Sequence, residues 1–196
     1  MIIGVTGQMA AGKNLVCGIL KRHGWLSVDA DELVHRAIES CAERIKMEFS
    51  EEAEAEGINI CADGNRVDRR ALGEFLFRSP ERLARQEAIV YPEITRMTEE
   101  FIAANPDADI ILNAAVLYKI PLLLEKCSSV IFVTAPFLIR LFRAKKRDGI
   151  KISLIIRRFA SQKNLLSIYR QSGKKIIILR NYGSADSLER KISKLF

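Results

Sequence analysis

No apolar run in this 196-residue chain approaches the roughly 20 residues that a membrane-spanning helix needs. The short apolar stretch at its start has no basic flank and no cleavage site, so it does not read as an export signal. A soluble, cytoplasmic protein with no membrane partner is expected. Cysteine is scarce and scattered: Cys17, Cys41, Cys61 and Cys127 never form a Cys-x-x-Cys pair. That spacing argues against a zinc site or a disulfide framework and predicts free, mostly packed thiols. Aromatic residues make up only 7% and show no recurring arginine–aromatic pattern, which argues against base stacking and a nucleic-acid partner. Internal repeats and low-complexity linkers are missing as well.

What is present is an ordinary globular composition, 48% hydrophobic and 28% charged, at a length that suits one domain with a substantial core. The net charge of +7 is unevenly placed. Residues 137–196 hold 16 Lys/Arg against 3 acids, about +13, while residues 1–136 hold 15 against 21, about −6. A basic final third could serve nucleic acid, a membrane surface or polyanionic small molecules such as nucleotides, and a solvated basic face accounts for some of these charges.

Residues 1–17 are the most informative stretch. An apolar, β-prone segment to Thr6 is followed by Gly7-Gln8-Met9-Ala10-Ala11-Gly12-Lys13-Asn14, and Leu15, Val16, Ile19 and Leu20 then recur at helical spacing. Strand, glycine loop and helix is the order of a phosphate-binding P-loop, Gly-x-x-x-x-Gly-Lys. Gly7 and Gly12 let the backbone approach an anion, N–H groups at the new helix point at phosphate oxygens, and Lys13 adds a mobile charge for the β- and γ-phosphates. The Ser or Thr that normally follows the lysine and ligates Mg²⁺ is absent; Asn14 takes its place.

Along the rest of the chain, Trp25–Val28 reads as a second strand ending in Asp29-Ala30-Asp31. Ligands sit beyond the carboxyl ends of strands in a parallel α/β sheet, so these carboxylates would face the phosphate loop. Asp also favours the N-cap of the helix expected from Glu32, so one of the pair can cap while the other does chemistry, with Asp31 the stronger functional candidate. His35 reads as a partly packed helix histidine. Residues 32–57 read as helical, with Glu48, Glu51, Glu52, Glu54 and Glu56 as a solvated acidic face. Gly57 and Asp63-Gly64-Asn65 punctuate a loop. Asp68 suits the N-cap of a helix with the stripe Ala71, Leu72, Phe75 and Leu76. Ser79-Pro80-Glu81 starts another helix, which Tyr91-Pro92 should kink or break and residues 103–106 end. Residues 32–105 are too many for an ordinary crossover, and a helical substrate-binding insertion is expected.

A buried parallel strand is predicted over Ala108–Asn113, with Asn113 where such enzymes carry the Asp that helps hold Mg²⁺. Val130–Val133 is the fourth strand. Pro136 opens a helix that presents Arg140, Arg143 and Arg147 on one face, a candidate nucleotide clamp. Residues 151–171 read as one further basic helix, Lys175–Leu179 as the fifth strand, and Asn181–Ser184 as the turn into the last helix.

These residues resemble the dephospho-coenzyme A kinase family along nearly the whole chain. The matching pieces are Gly4-Val5-Thr6-Gly7 with Ala11-Gly12-Lys13, Val28-Asp29-Ala30-Asp31, Asp63 to Glu74 with Phe77, Pro92, Arg143, Arg147-Asp148-Gly149, Arg158 with Gln162, and Asn181 with Gly183-Ser184. The resemblance implies transfer of phosphate from ATP to the ribose 3′-hydroxyl of dephospho-CoA, giving CoA and ADP, with Mg²⁺ accompanying ATP. It implies a three-layer α/β P-loop kinase fold: a five-stranded parallel sheet flanked by helices as core (1–31, 106–139, 173–196), a helical CoA-binding insertion (about 32–105) and a lid (about 140–172). Gly7 and Ala11, Gly12, Lys13, Asn14, Leu15 and Val16 would wrap the ATP phosphates. Asp31 would be the general base, and Lys13 and Arg143 would share the catalytic work. Arg143 and Arg147 would contact ATP from the lid. Arg66, Arg69 and Arg70, with Asp31, would face dephospho-CoA. Asn14 and, through water, Asp29 are the candidate metal contacts. The chain departs from the family's usual residues at Asn14, Asn113, Tyr91, Lys175-Ile176 and Gln8-Met9-Ala10. Two other readings share the loop: a small P-loop kinase acting on another metabolite, and a non-catalytic nucleotide- or nucleic-acid-binding module.

Overall fold

The computed structural model describes residues 1–62 and 66–195, so the predicted loop residues Asp63, Gly64 and Asn65 lie outside the described residues. The chain forms two compact units, Met1–Asp29 with Ala104–Phe196, and Ala30–Ala103. In chain order, β1 (Ile2–Gly7), α1 (Lys13–Arg22) and β2 (Leu26–Asp29) open the first unit. The second unit is α2 (Ala30–Ser40), α3 (Ala42–Ala55), α4 (Arg69–Leu76) and α5 (Pro80–Ala103). The first unit resumes with β3 (Ile110–Asn113), a 3-10 turn (Leu117–Lys119), α6 (Pro121–Lys126) and β4 (Ser129–Thr134). It closes with α7 (Phe137–Asp148), α8 (Ile152–Ser161), α9 (Leu165–Gln171), β5 (Ile176–Arg180) and α10 (Ala185–Ile192). Among the described residues no helix is long and apolar enough to cross a membrane.

In the first unit all five strands are parallel, in the order β2-β3-β1-β4-β5. Parallel strands are joined by crossovers, which here are mostly helical and flank the sheet, making three layers. The strand interiors are therefore unbroken apolar runs, with Ile3, Val5, Ile111, Ile131 and Val133 fully buried. Val16, Ile19 and Leu20 of α1 and Leu188 and Ile192 of α10 belong to the same core. Each such burial stabilises the fold by about 2 kcal/mol. Strand ends move by a residue or two from expectation. β3 starts only at Ile110 because the Ala108 N–H turns back to Asn105 O at 3.2 Å. β2 runs on through Asp29, which pairs in register with Asn113.

The helix expected over 151–171 is two, α8 and α9, separated by tight turns at Gln162 and Lys163. α9 must face the sheet: Tyr169 is fully buried, edge-on to Tyr118 and Phe132 with ring centroids 5.7 and 6.0 Å away. Its hydroxyl accepts from the Tyr118 N–H at 3.3 Å, and burial raises its pKa to about 12.

The second unit is helical throughout. The expected helix 32–57 is α2 and α3, broken at Cys41, and α2 begins at Ala30, so Asp31 sits in its first turn and does not precede it as a cap. Asp68 caps α4 as predicted, accepting from the Arg70 and Ala71 N–H groups at 2.8 and 3.0 Å. Ser79 Oγ accepts from the Glu81 N–H at 3.2 Å at the start of α5. Pro92 does not end α5. The missing N–H is outweighed by packing on both sides of it, where Ile89, Val90 and Ile94 are buried and α5 lies along α2.

The acidic run of α3 is not simply solvated. Glu48, Glu52 and Glu56 form a ladder with arginines: Arg85 bonds Glu48 at 2.7 Å and Glu52 at 2.9 Å, Arg82 bonds Glu52 at 2.7 Å and also Glu56, and Arg78 bonds Glu56 at 3.1 Å. The guanidiniums of Arg82 and Arg85 lie over Phe75 and Phe49, 4.0 and 4.9 Å from the ring centroids. Glu51 and Glu54 face solvent as predicted.

Candidate active site

β1 delivers the chain to the loop at the carboxyl edge of the sheet. Gly7 passes so close to β4 that a Cβ there would overlap the Val133 carbonyl, which explains glycine at this place. The Gln8 N–H donates to Val133 O at 3.3 Å, and Thr134 Oγ1 donates to Gln8 Oε1 at 2.9 Å. Gly12 has φ +99°, open only to glycine at low cost, and a Cβ there would collide with the Asn181 side chain. Among the described residues Ala10, at φ +60°, is the one non-glycine with a left-handed backbone.

Gly12 is also the N-cap of α1, with no side-chain cap and no acid in the first turn. The helix therefore meets the loop with first-turn N–H groups that no side-chain cap and no first-turn acid serves. This arrangement fits a phosphate. Lys13 is partly buried, Asn14 and Leu15 are exposed, and Val16 is fully buried, so Val16 can contribute only its backbone. Cys17 lies buried below, and burial pushes its thiol up to about 12, which keeps it protonated.

The loop is fastened from the far end of the chain. The Met9 N–H donates to Gln162 Oε1 at 2.7 Å, and Arg140 Nε donates to Met9 O at 2.9 Å. Asn181 Nδ2 donates to Ala11 O at 2.8 Å, and Arg143 Nη1 to both Ala11 O and Asn181 O at 3.4 Å. The side chains of Met9 and Ala10 pack on a small core of Ala144, Ile155 and Phe159. The unusual Gln8-Met9-Ala10 is thus a packed segment, bound to α7 and α8.

The predicted arginine face divides. Arg140 is buried, with its guanidinium 4.0 Å from the centre of the Phe159 ring, so it holds the loop and does not face a nucleotide, contrary to the clamp expected for it. Arg143 is half-buried at the loop. Arg147 is exposed and grips Asp148 at 2.6 and 3.0 Å, which holds that carboxyl below the usual range. Gln162 and Asn181 as loop supports were missed: each lies some 150 residues or more from its partner in sequence, and no local pattern marks the contact.

At the ends of β2 and β3, Asn113 Nδ2 donates to Asp29 Oδ2 at 2.7 Å. Among the described residues no group of three or more His, Cys, Asp and Glu could hold a metal ion. That donor set suits Mg²⁺ carried in by a nucleotide, since Mg²⁺ keeps waters and needs one or two carboxylates.

In the second unit Asp31 is exposed in the first turn of α2, and Arg66, Arg69 and Arg70 are exposed beside the start of α4. Arg69 lies 3.9 Å from Glu39 and lines a cavity of about 360 Å³ with Leu72, Leu76, Leu83, Val90 and Tyr91. His35 is exposed and lines that cavity too, where a partly packed residue was expected.

A model of the family described as dephospho-CoA kinase matches residues 1–185. A dephospho-CoA kinase of Treponema denticola is 34% identical over 196 residues, covering 98% of this chain and 87% of the relative. The crystal structure of TT1252 from Thermus thermophilus superposes with a TM-score of 0.81 at 29% identity, over 100% of this chain and 95% of that one. A dephospho-CoA kinase from Campylobacter jejuni, at 20% identity and TM-score 0.62 over 99% and 94%, shares the fold. With its phosphate loop, parallel sheet and whole-length match, this chain belongs to the dephospho-CoA kinase family.

Proposed function

We infer that this chain is an ATP-dependent dephospho-CoA kinase, a phosphotransferase with an alcohol acceptor. It moves the γ-phosphoryl group of ATP to the ribose 3′-hydroxyl of dephospho-CoA, giving CoA and ADP, the last step of CoA synthesis. The observation that carries this is the start of α1 at Gly12, with no side-chain cap and no first-turn acid, reached through a glycine turn and followed by Lys13. Phosphoryl transfer asks mainly for positioning and charge neutralisation, which such a loop supplies.

In this reading the backbone of Gly7 and of Ala11 to Val16 holds the triphosphate. Lys13 follows the transferring group. Arg143, anchored on the Ala11 carbonyl, and Arg147 neutralise charge from the lid. Asp31 accepts the proton of the attacking hydroxyl, and Arg66, Arg69 and Arg70 bind the anionic groups of dephospho-CoA. Mg²⁺ bound with ATP would neutralise the β- and γ-phosphate oxygens, with Asn14 and Asp29 on its protein side. Residues 1–31, 106–139 and 173–196 act as core, 32–105 as the acceptor-binding part and 140–172 as a lid that keeps water from the phosphate. The cytoplasm, where ATP is supplied, is the place of action.

ADP release by the purified chain with ATP and Mg²⁺ tests the reading. Turnover should depend on dephospho-CoA and not appear with adenosine, AMP or shikimate. Turnover with one of those and none with dephospho-CoA would assign another small-molecule kinase.

A further inference from the structure

The polarity of α7 is inverted. Its buried positions are Arg140 and Ala144, whereas Leu138 and Phe142 stand 75% and 71% exposed. Solitary exposed apolar residues are normal on a protein surface, but a helix that buries an arginine and presents a leucine and a phenylalanine reverses the usual pattern. Leu138 and Phe142 are one turn apart on one face, and Lys145 and Lys146, both exposed, follow within one further turn on the same side. The opposite side of the helix is the one that fastens the phosphate loop: Arg140 and Arg143 bond it, and Ala144 belongs to the small core on which Met9 and Ala10 pack. Leu138 and Phe142 therefore serve neither the core nor the loop.

α8 packs on α7 and repeats the pattern, with the Phe159 ring 5.6 Å from that of Phe137. Ile152 and Ile156, at i and i+4, are 50% and 45% exposed, and the neighbouring Lys151 and Arg157 are exposed too. Residues 137–172 hold 10 Lys/Arg against one acid, Asp148. Exposed apolar side chains among cations are what an interfacial helix offers a membrane: the apolar groups enter the acyl boundary, and Lys and Arg meet anionic headgroups. A second copy of this chain fits poorly, because a symmetric pairing would set the same cations against each other. Nucleic acid would use the cations and leave Leu138 and Phe142 in water. We propose that the exposed apolar residues of α7 and α8, with the cations around them, dock this protein reversibly on an anionic membrane surface. The expectation of no membrane partner follows from the missing span alone and does not bear on a helix that lies in the interface. The proposal is independent of the kinase reading.

Co-sedimentation of the full chain with vesicles tests it. Binding should appear with vesicles of mixed phosphatidylcholine and phosphatidylglycerol and be about tenfold or more weaker with phosphatidylcholine alone. It should also weaken between about 0.1 M and about 1 M salt, as the Debye length shrinks from about 10 Å to about 3 Å. Leu138→Ser with Phe142→Ser should cut binding to the mixed vesicles about tenfold or more with the melting temperature kept, and Lys146→Glu with Arg157→Glu should do the same. Should the serine pair not fold, Phe142→Trp carries the test, since its emission should move to shorter wavelength with mixed vesicles and stay in place with phosphatidylcholine alone. A wild-type chain that binds neither kind of vesicle overturns the proposal. So does binding that survives the serine pair, or an unmoved Phe142→Trp emission, because the cations alone would then account for it. Binding of a single-stranded oligonucleotide or a polyglutamate peptide with no binding to vesicles overturns it as well and assigns the face to that partner.

Discussion

Ala10 takes a backbone path that suits glycine. At φ +60° its Cβ crowds the following carbonyl, a cost of about 1–2 kcal/mol in the left-handed region. Contacts of Met9 and Ala10 with Ala144, Ile155 and Phe159 hold it there. Ala10→Gly removes the crowding but frees the unfolded chain, which takes back about 0.4–1 kcal/mol. The expected result in urea unfolding is a net gain of up to about 1 kcal/mol. A loss of that size would show that the methyl packing outweighs the strain. Two substitutions test the chemistry. Lys13→Ala should cut dephospho-CoA-dependent turnover about 100-fold or more, as loss of a charge on the transferring group does. Asp31→Asn should lower turnover at least about 100-fold while ATP affinity is kept, and unchanged turnover would remove Asp31 as the base. At this scale the sequence was readable wherever residue chemistry is self-sufficient: Gly7, Gly12 and Lys13 announce a phosphate loop by spacing alone. It was silent where a side chain acquires its job from a distant partner. Arg140 looks like Arg143 in sequence, and only the Phe159 ring and the Met9 carbonyl make it a brace.

Between elements, the second unit is held by charged contacts that local pattern does not show. Caps were legible, because Asp68 and Ser79 act within three residues of themselves. The persistence of α5 through Pro92 was not, since packing against α2 decides it. One link between those two helices is Glu93, which accepts from Ser40 Oγ at 2.7 Å and pairs with Arg96 at 2.7 Å. The Arg96 guanidinium, helped by Ser40, lowers the Glu93 carboxyl from 4.5 to about 2. A carboxyl with a depressed folded-state pKa contributes stability that is complete above its unfolded value and lost as pH falls toward its folded value. Stability from Glu93 should therefore be full at neutral pH and decline between about pH 4.5 and about pH 2. Glu93→Gln should be less stable than wild type at pH 7, with the gap in thermal midpoint closing as pH approaches 2. A gap that stays constant with pH would mean that the Glu93 charge is irrelevant and only its shape matters. Glu52 and Glu56, also lowered by their arginines, act in the same direction, so the comparison must be made on the single variant.

Over the whole molecule, five parallel strands and a helical insertion could be read from apolar runs and punctuation, but not the strand order, because parallel pairing joins segments far apart in the chain: β1 pairs with β3 and β4, more than 100 residues away. The charge division was legible too, and the fold gives it a use. Residues 137–196, with their excess of about 13 positive charges, belong to the same unit as the phosphate loop. Lys146, Arg157 and Arg158 are exposed there, so their field extends into solvent. Such a field should draw in the more highly charged nucleotides, and salt should screen it over a Debye length of about 10 Å at 0.1 M and about 3 Å at 1 M. ATP affinity should thus fall severalfold across that salt range, ADP less, and adenosine hardly at all. Lys146→Glu with Arg157→Glu, both away from the loop contacts described, should slow ATP association severalfold with the melting temperature kept, because the change is one of steering. Stopped-flow binding against ionic strength separates the cases. Equal salt responses of ATP and adenosine would confine nucleotide recognition to the loop's own short-range hydrogen bonds and leave the basic third as solvated surface.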